Sequence, residues 1–374
     1  MPTSPLQEGS PARFVVGFHE DPLDVLEDGL YAGARVTTSV PLLRARVVEA
    51  AAPEAFAMLA KRDPRVRYVE PLLEDVQPTL EPNDPLSPSQ QGARAVRAPA
   101  AWDLTTGTTV VSLCVIDSGV RYTHEDVRGP RWLGGIDLAN QDADPWDDYG
   151  HGTHVAGIAA ATLGNGAGIA GMAQAGVRAA KVLRENGAGS SLNVALGILW
   201  CAESGSRILV LSLSTPSSSA VLRDAVQYAS LRGALLVASA GNNGPCEDCV
   251  GYPARYPEVL AVACVDAEAL LCEWGSTGPE TEVAAPGVDV LSLSHDADDA
   301  YVSHSGTSMS VPHVAGAAAL LWSERPQLSA GAVRVLLGCG ARDLGEPGRD
   351  SLHGYGLLDA RRSLDLARAG ATGC

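Results

Sequence analysis

The sequence predicts a doubly wound α/β domain, a mainly parallel sheet with helices on both faces, preceded by a small α+β unit. Three observations carry this. From about residue 79 apolar runs of strand length alternate with segments of helical period. Those runs are near-continuous, as in parallel strands buried on both faces. Residues 1–78 follow another pattern, of alternating strands around a helix opened by proline.

In the first unit, Arg13–Phe18 reads as a strand, Leu43–Glu49 as a second with strict alternation, and Val66–Pro71 as a third. Pro53 opens a helix over Glu54–Ala60, since proline suits the first helical turn. Residues 74–88 are rich in proline and acids without periodicity, which marks a linker. Beyond it, strands are expected at Val110–Ile116, Val177–Leu183, Ile208–Leu213, Leu235–Ala240, Leu260–Val265 and Glu282–Ala285. Helices are expected at 152–163, 191–203, 219–232, 308–323 and 329–338. Sites in such folds gather at the carboxyl ends of strands. Asp117 and Asn242 both fall there.

The 374 residues are 46% hydrophobic and 19% charged, enough for a substantial core. A net charge of −17 excludes nucleic acid and anionic membrane as partners, since both demand positive charge. The acids suit a soluble surface, mild salt adaptation or calcium, a hard cation that takes oxygen ligands. No apolar run reaches the roughly 20 residues of a membrane span. The start, Met1–Pro5, lacks the blocks of a signal peptide, so the protein is either cytoplasmic or has lost a leader. Eight cysteines fit one to three disulfides in an oxidising compartment, with short spacings at Cys246/Cys249, Cys264/Cys272 and Cys339/Cys374. Cys114 and Cys201 read as small buried hydrophobes on a strand and a helix.

Chemistry concentrates in four segments. Gly306–Gly316 puts Ser308 at the mouth of an apolar helix, where free N–H groups and the helix dipole stabilise an oxyanion. Val115–Val120 carries Asp117 at a strand end. His151-Gly152-Thr153-His154 offers two imidazoles, between which spacing does not choose. Ala238–Gly244 brings Asn242 just past an apolar strand, where its amide can donate to the same oxyanion. Singly these read as a helix cap, a turn, a metal pair and another turn. Jointly they supply the nucleophile, base, orienting acid and oxyanion donor that acyl transfer needs.

The chain order Asp117, His151, Ser308, with the segments around each, resembles the subtilisin-like serine endopeptidases. The resemblance runs through Lys181-Val182-Leu183, Leu211-Ser212-Leu213, Tyr252-Pro253-Ala254, Ala285-Pro286-Gly287 and Gly354–Ala360. It selects His151 as the base and makes His154 a packed helical histidine. It implies a subtilisin-like fold for residues 79–374. The first unit, residues 1–78, is similar to the family's propeptide, an inhibitor and folding aid cut away by the enzyme itself between about 74 and 83. A peptide substrate would be held as an added strand between Gly187-Ala188-Gly189 and Ser212-Leu213-Ser214, with Gly251 at the floor of the P1 pocket. The family has glycine where this chain has Ser214, which would narrow the pocket or alter its preference. Glu247 and Asp248, in the short cysteine loop, either favour a basic P1 residue or face water, and solvation favours the second.

The resemblance further implies one structural Ca²⁺ held by Asp84, Asp126, the Asn165 side chain and the carbonyls of Leu163, Ala167 and Ile169. The acid runs Asp142–Asp148 and Asp296–Asp299 could hold further ions, without clear ligand spacing. The expected protein is a secreted, monomeric, self-processing endopeptidase of broad or hydrophobic P1 preference. A selective processing protease and a catalytically silent protein that keeps its propeptide are the alternatives.

Overall fold

The computed structural model describes residues 12–20, 33–72, 80–140, 142–371 and 373. The chain divides into two compact units, Met1–Pro78 and Thr79–Cys374.

In the first unit, β1 (Ala12–Phe18), β2 (Ala34–Val40), β3 (Ala45–Ala50), α1 (Pro53–Arg62) and β4 (Val66–Pro71) build a sheet ordered β2-β3-β1-β4. All its pairings are antiparallel. Its core is Phe14, Val16, Phe18, Val48, Ala50, Phe56 and Ala60. The expected start of the second strand at Leu43 is corrected: Pro41–Leu43 is a 3-10 turn, Arg44 is left-handed, and β3 begins at Ala45. β2 escaped the sequence reading because most of its side chains are exposed.

The second unit opens with the short helices α2 (Gln91–Ala95) and α3 (Ala98–Trp102). It continues through β5 (Ser112–Asp117), β6 (Trp132–Asp137), α4 (His151–Ala160), β7 (Gly176–Lys181), α5 (Ser191–Glu203), β8 (Ile208–Leu211), α6 (Ala220–Leu231), β9 (Leu235–Ser239), β10 (Val259–Val265) and β11 (Thr281–Pro286). There follow β12 (Val290–Leu293), β13 (Tyr301–His304), α7 (Thr307–Glu324), α8 (Ala330–Gly340) and α9 (Ala360–Arg368). Seven strands form one parallel sheet ordered β11-β10-β9-β8-β5-β7-β6. β12 and β13 make a separate antiparallel pair.

Alternate residues of each strand feed opposite cores. Leu113, Val115, Val210 and Val237 join α4, α7, α8 and α9 on one face. Cys114, Ile116, Leu209, Leu211 and Leu236 join α5 and α6 on the other. This is the period-2 geometry of a strand covered on both sides. α7 runs through the first core and is buried over most of its length despite Pro312.

Disulfides join Cys114 to Cys201, Cys246 to Cys249 and Cys264 to Cys272. The first corrects the reading of Cys114 and Cys201 as separate hydrophobes: α5 packs on β5, which brings their sulfurs together. Cys374 lies outside the described residues. Among those residues no helix is long and apolar enough to cross a membrane.

Candidate active site

The carboxyl ends of β5, β7, β8 and β9 converge on one edge of the sheet. β5 ends at Asp117, which is fully buried. Its Oδ1 lies 2.8 Å from His151 Nδ1 and accepts the Ser118 N–H at 2.8 Å. Its Oδ2 is buried and, among the described residues, without a partner. A carboxylate so enclosed holds the imidazole with Nδ1 protonated and Nε2 free to take a proton.

His151 is the first residue of α4. The turn before it is fixed by Asp147, whose Oδ1 accepts the N–H groups of Tyr149 and Gly150 and whose Oδ2 accepts the N–H and hydroxyl of Thr153. Gly152 must be glycine, since a Cβ there would lie 2.2 Å from the Gly119 carbonyl and 3.1 Å from Asp117 Cβ. That close approach seats the helix start against the strand end. Ser118 Oγ completes the join by accepting the Gly152 N–H at 2.9 Å. Burial opposes protonation of His151, but Asp117, through charge and hydrogen bond, and Asp147, through charge, together raise its pKa above the ordinary value.

A buried lysine ties the same two segments. Lys181 lies opposite Asp117 across the β5/β7 pairing. Its Nζ donates to the Ser118 carbonyl at 2.8 Å and to Asp148 Oδ1 at 2.5 Å.

Ser308 sits in the first turn of α7. Its Oγ donates to the Ser212 carbonyl at 3.0 Å, while Ser212 Oγ donates to the Ser308 carbonyl at 2.8 Å. Asn242 Oδ1 accepts the N–H of Thr307 at 3.0 Å and its hydroxyl at 2.8 Å. Among the described residues Asn242 Nδ2 makes no hydrogen bond. Nδ2 and the Ser308 backbone nitrogen lie 3.6 and 3.7 Å from one point, the Cβ position of Gly306. Both nitrogens are N–H donors of the kind that can stabilise a developing oxyanion. His154 is fully buried on α4, and its Nε2 lies 3.1 Å from the Val302 carbonyl. Burial, aided by the charges of His304 and His151, lowers its pKa to about 3, so it stays neutral.

Gly187-Ala188-Gly189 turns back on Leu183, with Gly189 bridged antiparallel to it and Ala188 and Gly189 exposed. Ser212-Leu213-Ser214 continues β8, and its next residue, Thr215, pairs with Tyr252. Gly251, beside Tyr252, is buried against Ser214. Asp248 is exposed and pairs with Arg255 at 2.6 Å, and Arg255 also reaches Glu280 at 3.2 Å. Glu247 is exposed.

Asp84 and Asp126 are both buried. Asp84 accepts from the N–H groups of Gly164 and Asn165. Asp126 accepts from Asn165 Nδ2, the Ile169 N–H and the Tyr301 hydroxyl. All these donors are neutral. Burial raises the Asp126 pKa, and those hydrogen bonds together with the charge of His124 only partly offset it. Among the described residues no hydrogen bond reaches the carbonyls of Leu163, Ala167 or Ile169. Two buried carboxylates and three open carbonyls are oxygen donors of the kind a hard cation takes, while the Asn165 Oδ1 already accepts the Ala167 N–H at 2.8 Å. Among the described residues no group of three or more His, Cys, Asp or Glu gathers as for a metal ion. The acid runs are engaged by protein: Asp144 accepts from the Tyr122 hydroxyl, Asp148 pairs with Lys181 and Asp298 pairs with Arg121.

Ser118, Asp147, Asp148, Lys181 and Thr307 were not read from sequence as parts of the site. Asp147 carried a signal, an acid just before a helix start. The others depend on contacts across the fold.

A sequence model of the subtilase family matches residues 108–356. The chain is 41% identical over 273 residues to the thermophilic serine proteinase of Bacillus sp. (strain AK1), spanning 72% of this chain and 67% of that protein. It is 40% identical over 245 residues to thermitase of Thermoactinomyces vulgaris, spanning 65% of this chain and 86% of that protein. Among solved structures, a protease of Pseudoalteromonas arctica PAMC 21717 superposes with a TM-score of 0.69 at 29% identity, covering 76% of this chain and 99% of that one.

Proposed function

The chain belongs to the subtilase family of serine proteases, and we propose that it is a self-processing endopeptidase whose reaction is carried by Asp117, His151, Ser308 and Asn242. The observation that carries this reading is the buried Asp117–His151 hydrogen bond at 2.8 Å at the end of β5, next to β8, whose following residue Ser212 is hydrogen-bonded to Ser308. Ser308 Oγ attacks the scissile carbonyl carbon as its proton passes to His151 Nε2. Asp117 stabilises the imidazolium through Nδ1–H. Asn242 Nδ2 and the Ser308 N–H hold the oxyanion. Collapse breaks the C–N bond, and His151 gives its proton to the leaving amine. Water, deprotonated by His151, then releases the acyl group and restores Ser308.

Protein substrates lie as a strand between Gly187–Gly189 and Ser212–Ser214, with the P1 side chain above Gly251. Ca²⁺ binds Asp84, Asp126, Asn165 and the carbonyls of Leu163, Ala167 and Ile169, where it neutralises two buried acids and pins the segment bearing Asp84. The unit Met1–Pro78 acts as propeptide, inhibitor and folding aid, and is cut from the monomeric catalytic unit in the linker. That bond falls between about 74 and 83, of which residues 74–79 lie outside the described residues. The three disulfides seen among the described residues support a secreted protein.

Expression of wild type beside Ser308→Ala, read by mass spectrometry and by fluorophosphonate labelling, tests this. Wild type is expected to lose about 80 residues and to label. The variant is expected to stay intact and unlabelled. A wild-type chain that neither labels nor matures, even after removal of the first unit, would instead be a silent binding protein.

A further inference from the structure

The P1 pocket departs from a plain glycine-floored cleft, and this inference rests on the endopeptidase reading and deepens it. A Cβ built on Gly251 would meet Ser214 Cβ at 3.0 Å, the Thr215 carbonyl at 3.2 Å and Ser214 Oγ at 3.5 Å. A Cβ built on Gly241 would meet Ser276 Oγ at 2.9 Å and Ser214 Oγ at 3.3 Å. The Ser214 side chain therefore stands in the space that two glycines leave open.

The walls around it are fixed by backbone pairing. Thr215 and Tyr252 exchange N–H···O bonds of 2.8 Å in both directions. The Gly251 N–H donates to the Ala240 carbonyl, and the Ser276 N–H to the Gly241 carbonyl, each at 2.8 Å. The cleft cannot widen to absorb a methylene without breaking these bonds. Rotation about χ1 could turn the hydroxyl aside, but Ser214 Cβ is fixed by the backbone. Ser214 is exposed to the cleft, and among the described residues its hydroxyl makes no hydrogen bond, so it is open to a ligand. Asp248 is not a free anion for a P1 cation, since it already pairs with Arg255, which Glu280 shares.

We propose that Ser214 sets the P1 specificity of this protease, admitting small uncharged side chains of the size of alanine or serine and rejecting aromatic ones. The cause is steric. A planar ring needs depth between Gly241 and Gly251, and Ser214 Cβ and Oγ occupy it. A side chain ending at Cβ or a hydroxyl stops short of that point and can share a hydrogen bond with Ser214.

The test compares kcat/KM for peptide substrates differing only at P1 (Ala, Leu, Phe) on mature wild type and Ser214→Gly. Wild type is expected to favour Ala over Phe, and the variant to raise the Phe/Ala ratio by about tenfold or more. The ratio is taken within one preparation, so a partly folded variant does not distort it. Should Ser214→Gly fail to fold, the P1 profile of wild type on a peptide library decides alone. A wild type that prefers Phe, or a ratio unmoved by the substitution, overturns the inference. No turnover of any substrate by either protein, with no fluorophosphonate labelling, overturns the endopeptidase reading itself and this inference with it.

Discussion

Lys181 and Asp148 form an ion pair of 2.5 Å in which the lysine is almost wholly buried and the aspartate about one-third exposed, at 1% and 35%. The same Nζ holds the Ser118 carbonyl, next to Asp117, while Asp148 stands three residues before His151. The pair therefore clasps the strand bearing the acid to the turn bearing the base. Asp148→Asn leaves a buried ammonium without its anion. A loss of about 2 kcal/mol in unfolding free energy is expected, below the full penalty for a buried pair because Asp148 is partly solvated. The fall in kcat should exceed any rise in KM, since the clasp acts on catalytic geometry and not on the substrate. Unchanged stability and an unchanged kcat would show the pair to be idle.

The pH profile follows from the surroundings of His151. Activity needs the neutral imidazole, so kcat/KM rises with pH as His151 loses its proton. Because Asp117 and Asp147 outweigh burial, the inflection is expected above the ordinary 6.5. Asp117→Asn removes the charge and the charge-assisted bond while burial persists. The inflection should move to lower pH, and kcat should fall by about 10⁴-fold. Rate profiles of the two proteins across this range check both the direction and the size.

Thr307 holds Asn242 through two bonds to the same amide oxygen. Thr307→Ala deletes the hydroxyl bond and loosens the amide that must face the oxyanion. A fall in kcat of about five- to tenfold with little change in KM is expected, equivalent to one ordinary hydrogen bond. Thr307→Ser should recover most of it. Asn242→Ala should cost more, about 10²- to 10³-fold, a magnitude that itself comes from a subtilisin.

The Cys114–Cys201 disulfide closes a sequence separation of 87 residues between β5 and α5. In the chain-entropy account a loop of that size contributes about 4.6 kcal/mol, against about 2 kcal/mol for a loop as short as Cys246–Cys249. Urea unfolding of Cys114→Ala/Cys201→Ala and Cys246→Ala/Cys249→Ala should show the larger drop in midpoint for the first. Equal drops would assign the stability to local packing instead.

The sequence was most legible where burial is complete. The strands β8, β9 and β10 are near-continuous apolar runs, β5 is apolar between Ser112 and Asp117, and β7 and β11 are apolar apart from Arg178, Lys181, Thr281 and Glu282; their alternate residues feed two cores. β6 was missed because it is an edge strand: Trp132–Ile136 are only partly buried, and Gly134-Gly135 interrupt any apolar run. α9 was missed for the opposite reason, since its arginines mask a narrow buried stripe of Ala360, Ser363, Leu364 and Ala367. Within the site, residues at element ends inside short motifs could be named. Lys181 could not be assigned a role, because its partners Ser118 and Asp148 are distant in sequence and meet it only after β5 and β7 pair. The Cys114–Cys201 bridge was hidden for the same reason.

At rest the Ser308 hydroxyl is spent on the Ser212 carbonyl, an acceptor on the very edge where a peptide strand would pair. In the proposed binding mode an arriving backbone N–H would compete for that oxygen, and the displaced hydroxyl would be released. Occupancy of the cleft would then be coupled to release of the nucleophile from its resting partner.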